Sequence, residues 1–370
     1  MREDFRFFDN RQKYLLFVTT TNEKNVVSSK ISKIIEKIKP TKPALKIFDA
    51  GLGDGTLLMN IIKKSHNVFP TIPFLVVGKE ISLEDVRLCV EKLSDRFIEH
   101  PNMVFVVTNL HYNEAASFSS KNSEKNKNIN WDIVKLKGTS SFSYSEQLNK
   151  LDEILKKNWQ VERHQVSGNP TYKLPSVLVI YREDHEINLD SVIPKNDGIK
   201  MEFDLIIASQ PYRSRISVKQ KVKYVVEPMI NALKLNGKLV LIHACGNNPG
   251  HEIINLIWPE EDPFPSSAND IIKYLEKNLS KELQNKLNFS LPEKFKYSLR
   301  ALPNEIENGI STSLIFSSWN ASTYVGQISD SKIAEKEKDG KYVDYIKKII
   351  KNHDGLWFTN ELLQIDRTED

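Results

Sequence analysis

The sequence predicts an α/β protein built on a parallel, doubly wound sheet. Segments with the composition of buried strands alternate with segments of helical spacing, an alternation that is typical of such sheets. The strands are predicted over residues 45–49, 74–78, 103–108, 203–209 and 239–243. The first strand runs straight into a loop with Gly at every second position. Because ligands bind beyond the carboxyl ends of parallel strands, we expect the functional site there.

The composition is ordinary for a globular protein. The chain has 370 residues, of which 40% are hydrophobic and 27% charged, so it can bury one large core or two modest ones. Its 52 basic and 48 acidic residues give a net charge of +4, which neither demands nor excludes nucleic-acid binding. The two cysteines, Cys89 and Cys245, are too few for a disulfide framework or a thiolate metal site and fit a reducing compartment.

The sequence carries no recognisable targeting or metal-binding signal. No apolar run approaches about 18 residues and four of the first six residues are charged, so we expect neither a membrane span nor a signal peptide. No carboxylate cluster or His pair has metal-ligand spacing. We therefore expect a cytoplasmic protein without a metal centre.

The loop over residues 51–55 has the character of a nucleotide cradle. Gly leaves backbone N–H groups bare, and the following helix directs the positive end of its dipole at a ligand. The dinucleotide fingerprint G-x-G-x-x-G is not met, because Gly55 falls one position early. The second strand leads to Glu80, whose carboxylate can accept hydrogen bonds from both hydroxyls of a ribose. The alternative is a loop that only permits tight packing.

The two segments D-x-G-x-G-x-G, residues 49–55, and V-V-G-K-E-I-S, residues 76–82, resemble the cofactor-binding half of class I S-adenosylmethionine-dependent methyltransferases. The resemblance implies S-adenosyl-L-methionine as the cofactor and a Rossmann-like, seven-stranded sheet. The cofactor-binding residues it implies are Asp49, Gly51, Gly53, Asp54, Gly55, Glu80, Ile81, Thr108, Asn109, Leu110 and Ser209. Many relatives have an acid near Asn109 for the adenine amine, and the side-chain carbonyl of Asn109 could do the same job.

Extensions are predicted at both ends of this core domain, which spans residues 45–330. Residues 1–44 contain a predicted helix at 25–39 and form either a lid over the ligands or a packing arm held by aromatic residues. Towards the other end, residues 296–302 and 311–317 are predicted as the closing antiparallel pair of the sheet. Residues 331–370 are predicted as a helical tail.

An inserted α+β subdomain is predicted over residues 113–196. It opens with a polar run and then gains predicted strands at 131–136 and 174–181 around a predicted helix at 145–157. The subdomain could cover the substrate, form a dimer surface or only decorate the sheet edge. The sequence does not choose among these roles.

The end of the fourth strand is where the methyl acceptor should lie in this fold. Gln210 has both donor and acceptor capacity and can orient a nitrogen heterocycle or an amide. Glu23, in the lid-like segment, could hold a cationic amine. Three segments, around Tyr14 to Glu23, at 206–210 and at 245–250, are similar in order and spacing to the histamine N-methyltransferase family. That resemblance implies that Glu23 and Gln210 bind a substrate amine, although the insertion has no counterpart there.

A competing prediction starts from Ser209-Gln210-Pro211-Tyr212. It is close to an Asp/Asn/Ser-Pro-Pro-aromatic element of methyltransferases that act on nucleobase amines or protein amides, where the aromatic residue stacks on the planar substrate. Gln210 stands where the first proline belongs. The candidate catalytic residues are therefore Gln210, Tyr212 and Glu23, with a small molecule as the first acceptor class and nucleic acid or protein amide as the second.

A third hypothesis is a non-catalytic protein that binds the cofactor as a scaffold or sensor. His243, His251 and Cys245 lie near the same end of the sheet, and we assign them structural roles because a strand-end histidine is more often a hydrogen-bonded structural residue. His111 and Tyr112 are candidates for lining the cofactor pocket. The identity of the acceptor atom and the oligomeric state stay open.

Overall fold

The computed structural model describes residues 5–120, 123–165, 168–197, 200–300 and 311–369. These residues contain twelve strands. In chain order they are β1 Leu45–Asp49, β2 Phe74–Lys79, β3 Met103–Thr108, β4 Asn130–Leu136, β5 Val161–Arg163, β6 Pro170–Tyr172, β7 Ser176–Arg182, β8 Phe203–Ser209, β9 Leu233–Cys245, β10 Leu287–Phe289, β11 Glu293–Ser298 and β12 Trp357–Arg367.

The helices of the described residues flank these strands. They are Arg11–Thr20, Glu23–Ile35, Thr56–Val68, Leu83–Glu91, Ser94–Glu99, Tyr112–Ala115, Ser123–Lys127, Ser141–Asn149, Asp152–Asn158, Glu186–Leu189, Val218–Lys221, Glu227–Asn231, Pro249–Ile257, Ala268–Asn278, Lys281–Asn285, Ser311–Val325, Asp330–Glu337 and Tyr342–His353. None of them has the length and apolar character needed to cross a membrane.

One large, mostly parallel sheet organises the fold and confirms the α/β prediction. Its strand order is β10-β12-β9-β8-β1-β2-β3-β7-β4, with β11 also paired to β12. The strands from β9 to β3 run parallel, whereas β12 and β7 are antiparallel to their inner neighbours. The chain winds in one direction from β1 to β3 and in the other from β8 to β9. The pair β1 and β8 is therefore the switch point of the sheet, where ligands bind in such folds.

The central strands are buried on both faces, which explains their continuous apolar runs. Successive residues alternate between two cores: Ile47 packs with Val76 on one face, and Phe48 packs with Val77 on the other. Each core is covered by its own layer of helices. This sandwich holds the carboxyl ends of β1, β2 and β8 side by side.

The insertion extends the sheet rather than standing apart from it. Its strand β7 lies antiparallel against β3, and β4 lies outside β7 at the edge. The predicted helix at 145–157 is two helices, Ser141–Asn149 and Asp152–Asn158. Of the roles left open by the sequence, the structure therefore supports decoration of the sheet edge.

The closing strand of the sheet comes from the C-terminal tail. Strand β11 fits the predicted strand at 296–302 in part, but its partner is β12 and not residues 311–317. Those residues belong to the helix Ser311–Val325, in which Leu314, Ile315, Ser318 and Trp319 are buried at helical spacing. The predictions of a strand at 311–317 and of a wholly helical tail are therefore wrong.

The N-terminal segment contains two helices, Arg11–Thr20 and Glu23–Ile35, where the sequence predicted one. Its aromatic side chains form a third core with the C-terminal helices, centred on Tyr324. The ring of Tyr324 lies 5.3 Å from that of Phe17 and 5.9 Å from that of Phe5, centroid to centroid. The two ends of the chain therefore pack together above the central sheet.

Replacing Leu363 with alanine should show how far the sheet depends on β12. Leu363 is fully buried opposite Leu241 of β9. Leu363→Ala should lower the free energy of unfolding by about 2–5 kcal/mol, because it leaves a cavity in a well-packed core. Leu291→Ala, at a side chain that is 92% exposed, is the matched control. Chemical denaturation of both variants tests this, and equal losses would contradict the role of β12.

Candidate functional site

A pocket lies at the switch point, between the strand ends and the packed chain termini. It encloses about 980 Å³ of empty space, with the open solvent at its mouth included. Its floor is formed by strand-end residues Ala50, Gly51, Gly53, Lys79, Glu80, Ile81, Tyr112, Ser209, Gln210, Pro211 and Ala244. Its roof is formed by Phe7, Phe8, Arg11, Tyr14, Phe17, Glu23, Lys24, Tyr297, Tyr324, Val325 and Gln327.

The glycine loop is shaped by two positive φ angles. Gly53 has φ +51° and Gly55 has φ +78°, conformations that residues with a Cβ atom rarely adopt. Space is short as well: a Cβ atom at Gly53 would lie 2.3 Å from Tyr14 Oη, and one at Gly55 would lie 2.5 Å from Cys89 Sγ. Gly is required here by backbone geometry and by close contact with the neighbouring elements.

The N–H groups of this loop are not bare, contrary to the sequence-based expectation. Gly51 N donates to Asp49 Oδ1 at 3.1 Å, and Gly53 N donates to Glu80 Oε2 at 2.9 Å. The amides of Leu52, Asp54 and Gly55 also have partners within the protein. The loop can therefore offer a ligand space and acceptor groups, but few free donors.

Glu80 is fixed at the end of β2 by three backbone N–H groups. Its Oε2 accepts from Gly53, and its Oε1 accepts from Ile81 at 2.7 Å and from Ser82 at 2.9 Å. A carboxylate has about four acceptor positions, so about one is left. The structure brings Glu80 and the glycine loop into direct contact on one wall of the pocket, with room for one further hydrogen bond to the carboxylate.

Two buried oxygen atoms near this wall lack hydrogen-bond partners among the described residues. They are Asp49 Oδ2, at the end of β1, and Ser209 Oγ, at the end of β8. Burial raises the pKa of Asp49 to about 6, although the N–H of Gly51 and the charge of Lys24 oppose the shift. An unpartnered buried acceptor is costly, and Ser209, which lines the pocket, is suited to a ligand that donates a hydrogen bond.

The roof is tied to the floor by polar contacts of the helix Arg11–Thr20. Tyr14 Oη donates to Asp54 Oδ1 at 3.0 Å, and Arg11 forms an ion pair with Asp85 at 2.5 Å. Burial raises the pKa of Asp54, but hydrogen bonds from Lys92 and Thr56 outweigh it and leave this pKa below its usual value. Asp54 is thus an ionised anchor for the roof and not part of the pocket wall.

A chain of side chains forms the opposite wall. Gln210, with φ +51°, accepts from Ala244 N at 3.1 Å through Oε1 and donates to Asn360 Oδ1 at 3.2 Å through Nε2. Asn360 Nδ2 donates to Glu23 Oε1 at 3.3 Å, and Glu23 Oε2 is ion-paired with Lys24 at 3.0 Å. Glu23 and Asn360 are 1% and 0% exposed. The structure therefore joins the predicted residues Glu23 and Gln210 in one network.

Sequence reasoning missed Asn360, which bridges these two residues. It lies on β12, in the tail that the sequence predicted to be helical. The apolar residues at 357, 358, 362, 363 and 365 are a usable signal, because aromatic and aliphatic residues at this spacing suit a strand. Nothing in the sequence links it to Gln210, which is far away along the chain.

Tyr212 does not face the pocket, although the sequence placed it in the candidate catalytic set. Its hydroxyl lies 3.2 Å from His243 Nδ1, and His243 Nε2 lies 3.3 Å from Glu361 Oε2, all within a buried cluster. Glu361 also accepts from Ala268 N at 2.7 Å. Tyr212 is 6% exposed and packs in the core that also contains Phe48 and Val77. Its ring is not part of the pocket lining.

Asn109 is engaged by the insertion and does not reach the pocket. Its Nδ2 donates to the carbonyl groups of Asn158 and Leu174, and its Oδ1 accepts from Ser176 N at 2.8 Å. Thr108 Oγ1 likewise donates to the Ser176 carbonyl at 2.8 Å. Both polar groups of the Asn109 side chain are therefore used within the protein, and Asn109 is not part of the pocket lining.

Of the remaining predicted residues, some line the pocket and others lie behind its lining. Glu80, Ile81, Gly51, Gly53 and Ser209 line the pocket, as does Tyr112. The residues that support it from behind are Asp49, Asp54, Gly55, Thr108 and Leu110, and His111 packs beside Tyr172 instead. Among the described residues, no three His, Cys, Asp or Glu side chains form a group suited to a metal ion.

Comparisons with known proteins give only remote likenesses. No protein-family model and no curated protein sequence matches the chain. Solved structures that it resembles include geranyl diphosphate methyltransferase with GPP and sinefungin, at 11% identity and TM-score 0.33 over 92% of this chain and 79% of that one. Mycolic acid cyclopropane synthase follows at 11% and 0.35 over 92% and 83%, and coclaurine N-methyltransferase at 8% and 0.36 over 93% and 72%. At TM-scores below 0.5 these likenesses decide nothing about function.

A Gly53→Ala variant should loosen the roof. Alanine would keep an unfavourable positive φ, at a cost of about 1–2 kcal/mol, and would also meet Tyr14 Oη. Gly340→Ala is the matched control, because Gly340 has φ +66° with open space around it. Gly53→Ala should lose more unfolding free energy than the control, and proteolysis within residues 11–20 should be faster. Equal losses would contradict a tight contact between the loop and Tyr14.

The raised pKa of Asp49 predicts a pH dependence. Between about pH 4 and 6 the unfolded chain has released this proton and the folded chain has kept it, so the Asp49 contribution to stability falls as pH rises. Asp49→Asn removes that loss. Relative to wild type, the free energy of unfolding of the variant should rise by roughly 2–3 kcal/mol from pH 4 to 7. Asp190→Asn, at an exposed side chain, should give a flat difference; a flat difference for Asp49→Asn would refute the assignment.

Proposed function

We propose that the protein is an S-adenosylmethionine-dependent methyltransferase that methylates a nitrogen atom of a small molecule. One observation carries the proposal. The same pocket has the glycine loop and Glu80 on one wall and the network of Gln210, Asn360 and Glu23 on the other. The first wall suits a nucleoside with an amino-acid end, and the second suits a polar nitrogen compound.

The residues of the first wall fit S-adenosylmethionine. Ser209 Oγ can accept a hydrogen bond from its ammonium group, and the last acceptor position of Glu80 can take one ribose hydroxyl. Gly51 and Gly53 line this wall without side chains of their own. Bound there, the cofactor supplies an activated methyl group on a positively charged sulfur.

Lys24 is the candidate partner for the carboxylate of the cofactor. Burial lowers the pKa of Lys24, but the charges of Glu23, Asp54 and Asp49 outweigh it, so this pKa is raised. Lys24 therefore stays charged and lies near Asp49. Lys24 and Ser209 line the same pocket, so one amino-acid end can contact both.

The second wall can orient an acceptor nitrogen. Glu23 offers a carboxylate for a substrate N–H or ammonium. The hydrogen bonds through Asn360 and Gln210 hold this carboxylate in place. Rings of Phe17, Tyr297 and Tyr324 around the pocket exclude water and favour a cationic or aromatic amine. Because the methyl donor is already activated, such positioning accounts for about 7–11 kcal/mol of the barrier.

The nucleic-acid alternative has weaker support. The aromatic residue that would stack on a base, Tyr212, lies in the core. Arg215 is ion-paired with Glu261, and Arg213 donates to the Phe5 carbonyl, so these cations stabilise the fold.

We assign the reaction to the cytoplasm, as both cysteines are free.

Two measurements test the proposal. Calorimetric titration with S-adenosylhomocysteine should give binding at micromolar concentration, and its absence would remove the proposal. Incubation with methyl-labelled S-adenosylmethionine and fractionated cell extract should then place label in small molecules. Label in RNA or protein would favour the competing acceptors, and binding without transfer would favour a sensor.

Asn360→Ala should affect binding of the methyl acceptor much more than binding of the cofactor. The variant removes the bridge between Gln210 and Glu23, so the KM for an amine acceptor should rise about tenfold or more. Affinity for S-adenosylhomocysteine should change less than about twofold, since Asn360 lies on the other wall. Asn288→Ala, at an exposed site in the same sheet, is the control. A loss of cofactor affinity with unchanged KM would move Asn360 out of the acceptor wall.

A further inference from the structure

Three cationic side chains line the pocket, and their surroundings differ. Arg11 is paired with Asp85, and Lys24 is paired with Glu23. Lys79 lines the same pocket, and its backbone carbonyl accepts from Leu52 N at 3.2 Å, but within the described residues its side-chain ammonium forms no hydrogen bond and no ion pair. Its only close polar contact is with the ring of Tyr112, whose centroid lies 4.9 Å from Lys79 Nζ.

Lys79 and Glu80 leave the end of β2 on opposite faces. Gly78 and Glu80 face the glycine loop: a Cβ atom at Gly78 would touch Leu52, and Glu80 accepts from Gly53. Because side chains alternate along a strand, Lys79 lies on the other face. There it meets Tyr112, whose hydroxyl donates to the Pro211 carbonyl at 3.1 Å. Lys79 is thereby connected to the segment that carries Gln210.

The ammonium of Lys79 is half-buried, and without a counter-charge this position is unfavourable. Burial lowers the pKa of Lys79, and only the charge of Glu80 opposes the shift. The carboxylate of Glu80 is already held by three backbone N–H groups on the opposite face. A ligand anion would supply the missing charge, and charge-assisted hydrogen bonds are the strong ones.

We propose that Lys79 binds an acidic group of the methyl acceptor, so that the substrate is an amine that also carries a carboxylate or phosphate. The inference rests on the proposed function and adds the substrate class. The carboxylate of the cofactor is a different source of the same chemistry. It belongs with Lys24, whose charge acts on Asp49. Lys79 lies on the face of β2 opposite to Glu80 and the glycine loop.

Matched probes that differ by one carboxylate test the inference. Histidine and histamine form one pair, and tyrosine and tyramine form another. On protein saturated with S-adenosylhomocysteine, calorimetry should give at least about tenfold tighter binding of the acid-bearing member of a pair. Lys79→Met should abolish that preference, and Lys79→Arg should retain part of it. Lys63→Met, at an exposed lysine, is the control and should leave the preference unchanged.

The outcomes separate this inference from the proposed function. If S-adenosylhomocysteine does not bind wild-type protein, the proposed function fails. If it binds, but neither acid-bearing probe is preferred or Lys79→Met keeps the preference, the inference about Lys79 fails alone. If Lys79→Met weakens the binding of S-adenosylhomocysteine and leaves the probe preference intact, Lys79 holds the cofactor instead. An unchanged unfolding midpoint for Lys79→Met shows that any loss is local.

Discussion

The hydrogen bond from Gly53 N to Glu80 Oε2 is the contact on which the pocket depends. It joins the loop after β1 to the end of β2, and it requires Gly53 to keep a positive φ beneath the Tyr14 ring. Since Tyr14 also donates to Asp54, the same few atoms hold the roof over the floor. The N–H groups of the loop form hydrogen bonds within this framework. Specificity towards ligands therefore depends on side chains and on unpartnered oxygen atoms.

The charges of the pocket are arranged in pairs with one exception. Arg11 with Asp85 and Lys24 with Glu23 each balance within the protein, and Glu80 is balanced by backbone dipoles. Such pairs fix geometry at little net gain in stability, because desolvation offsets attraction. Lys79 stands outside this balance. A ligand with an acid and an amine would meet the unpaired cation and the carboxylate network at the same time.

The central strands of this fold can be predicted from the sequence, but the site residues that the C-terminal part of the chain supplies cannot. Strands β1, β2, β3 and β8 are apolar on both faces, and the positions of Gly53 and Glu80 follow from them. The sequence predicts a strand at the start of the helix Ser311–Val325, because a short apolar run does not distinguish the periodicity of a helix from that of a buried strand. The sequence does not reveal the role of Asn360, because its partners Gln210 and Glu23 are distant in the chain. The sequence predicts a cofactor contact for Asn109, whereas the structure shows its side chain bonded to the insertion.

The placement of β12 has a consequence for how the protein matures. This strand is synthesised after every other strand of the sheet, yet it lies between β9 and β10 and carries Asn360. A nascent chain on the ribosome can form β1 to β3 and the glycine loop early, but β9 keeps an open edge until β12 has emerged. Activity should therefore appear only after β12 has been translated. Until then the unpaired edge of β9 is a place where chaperones would be needed.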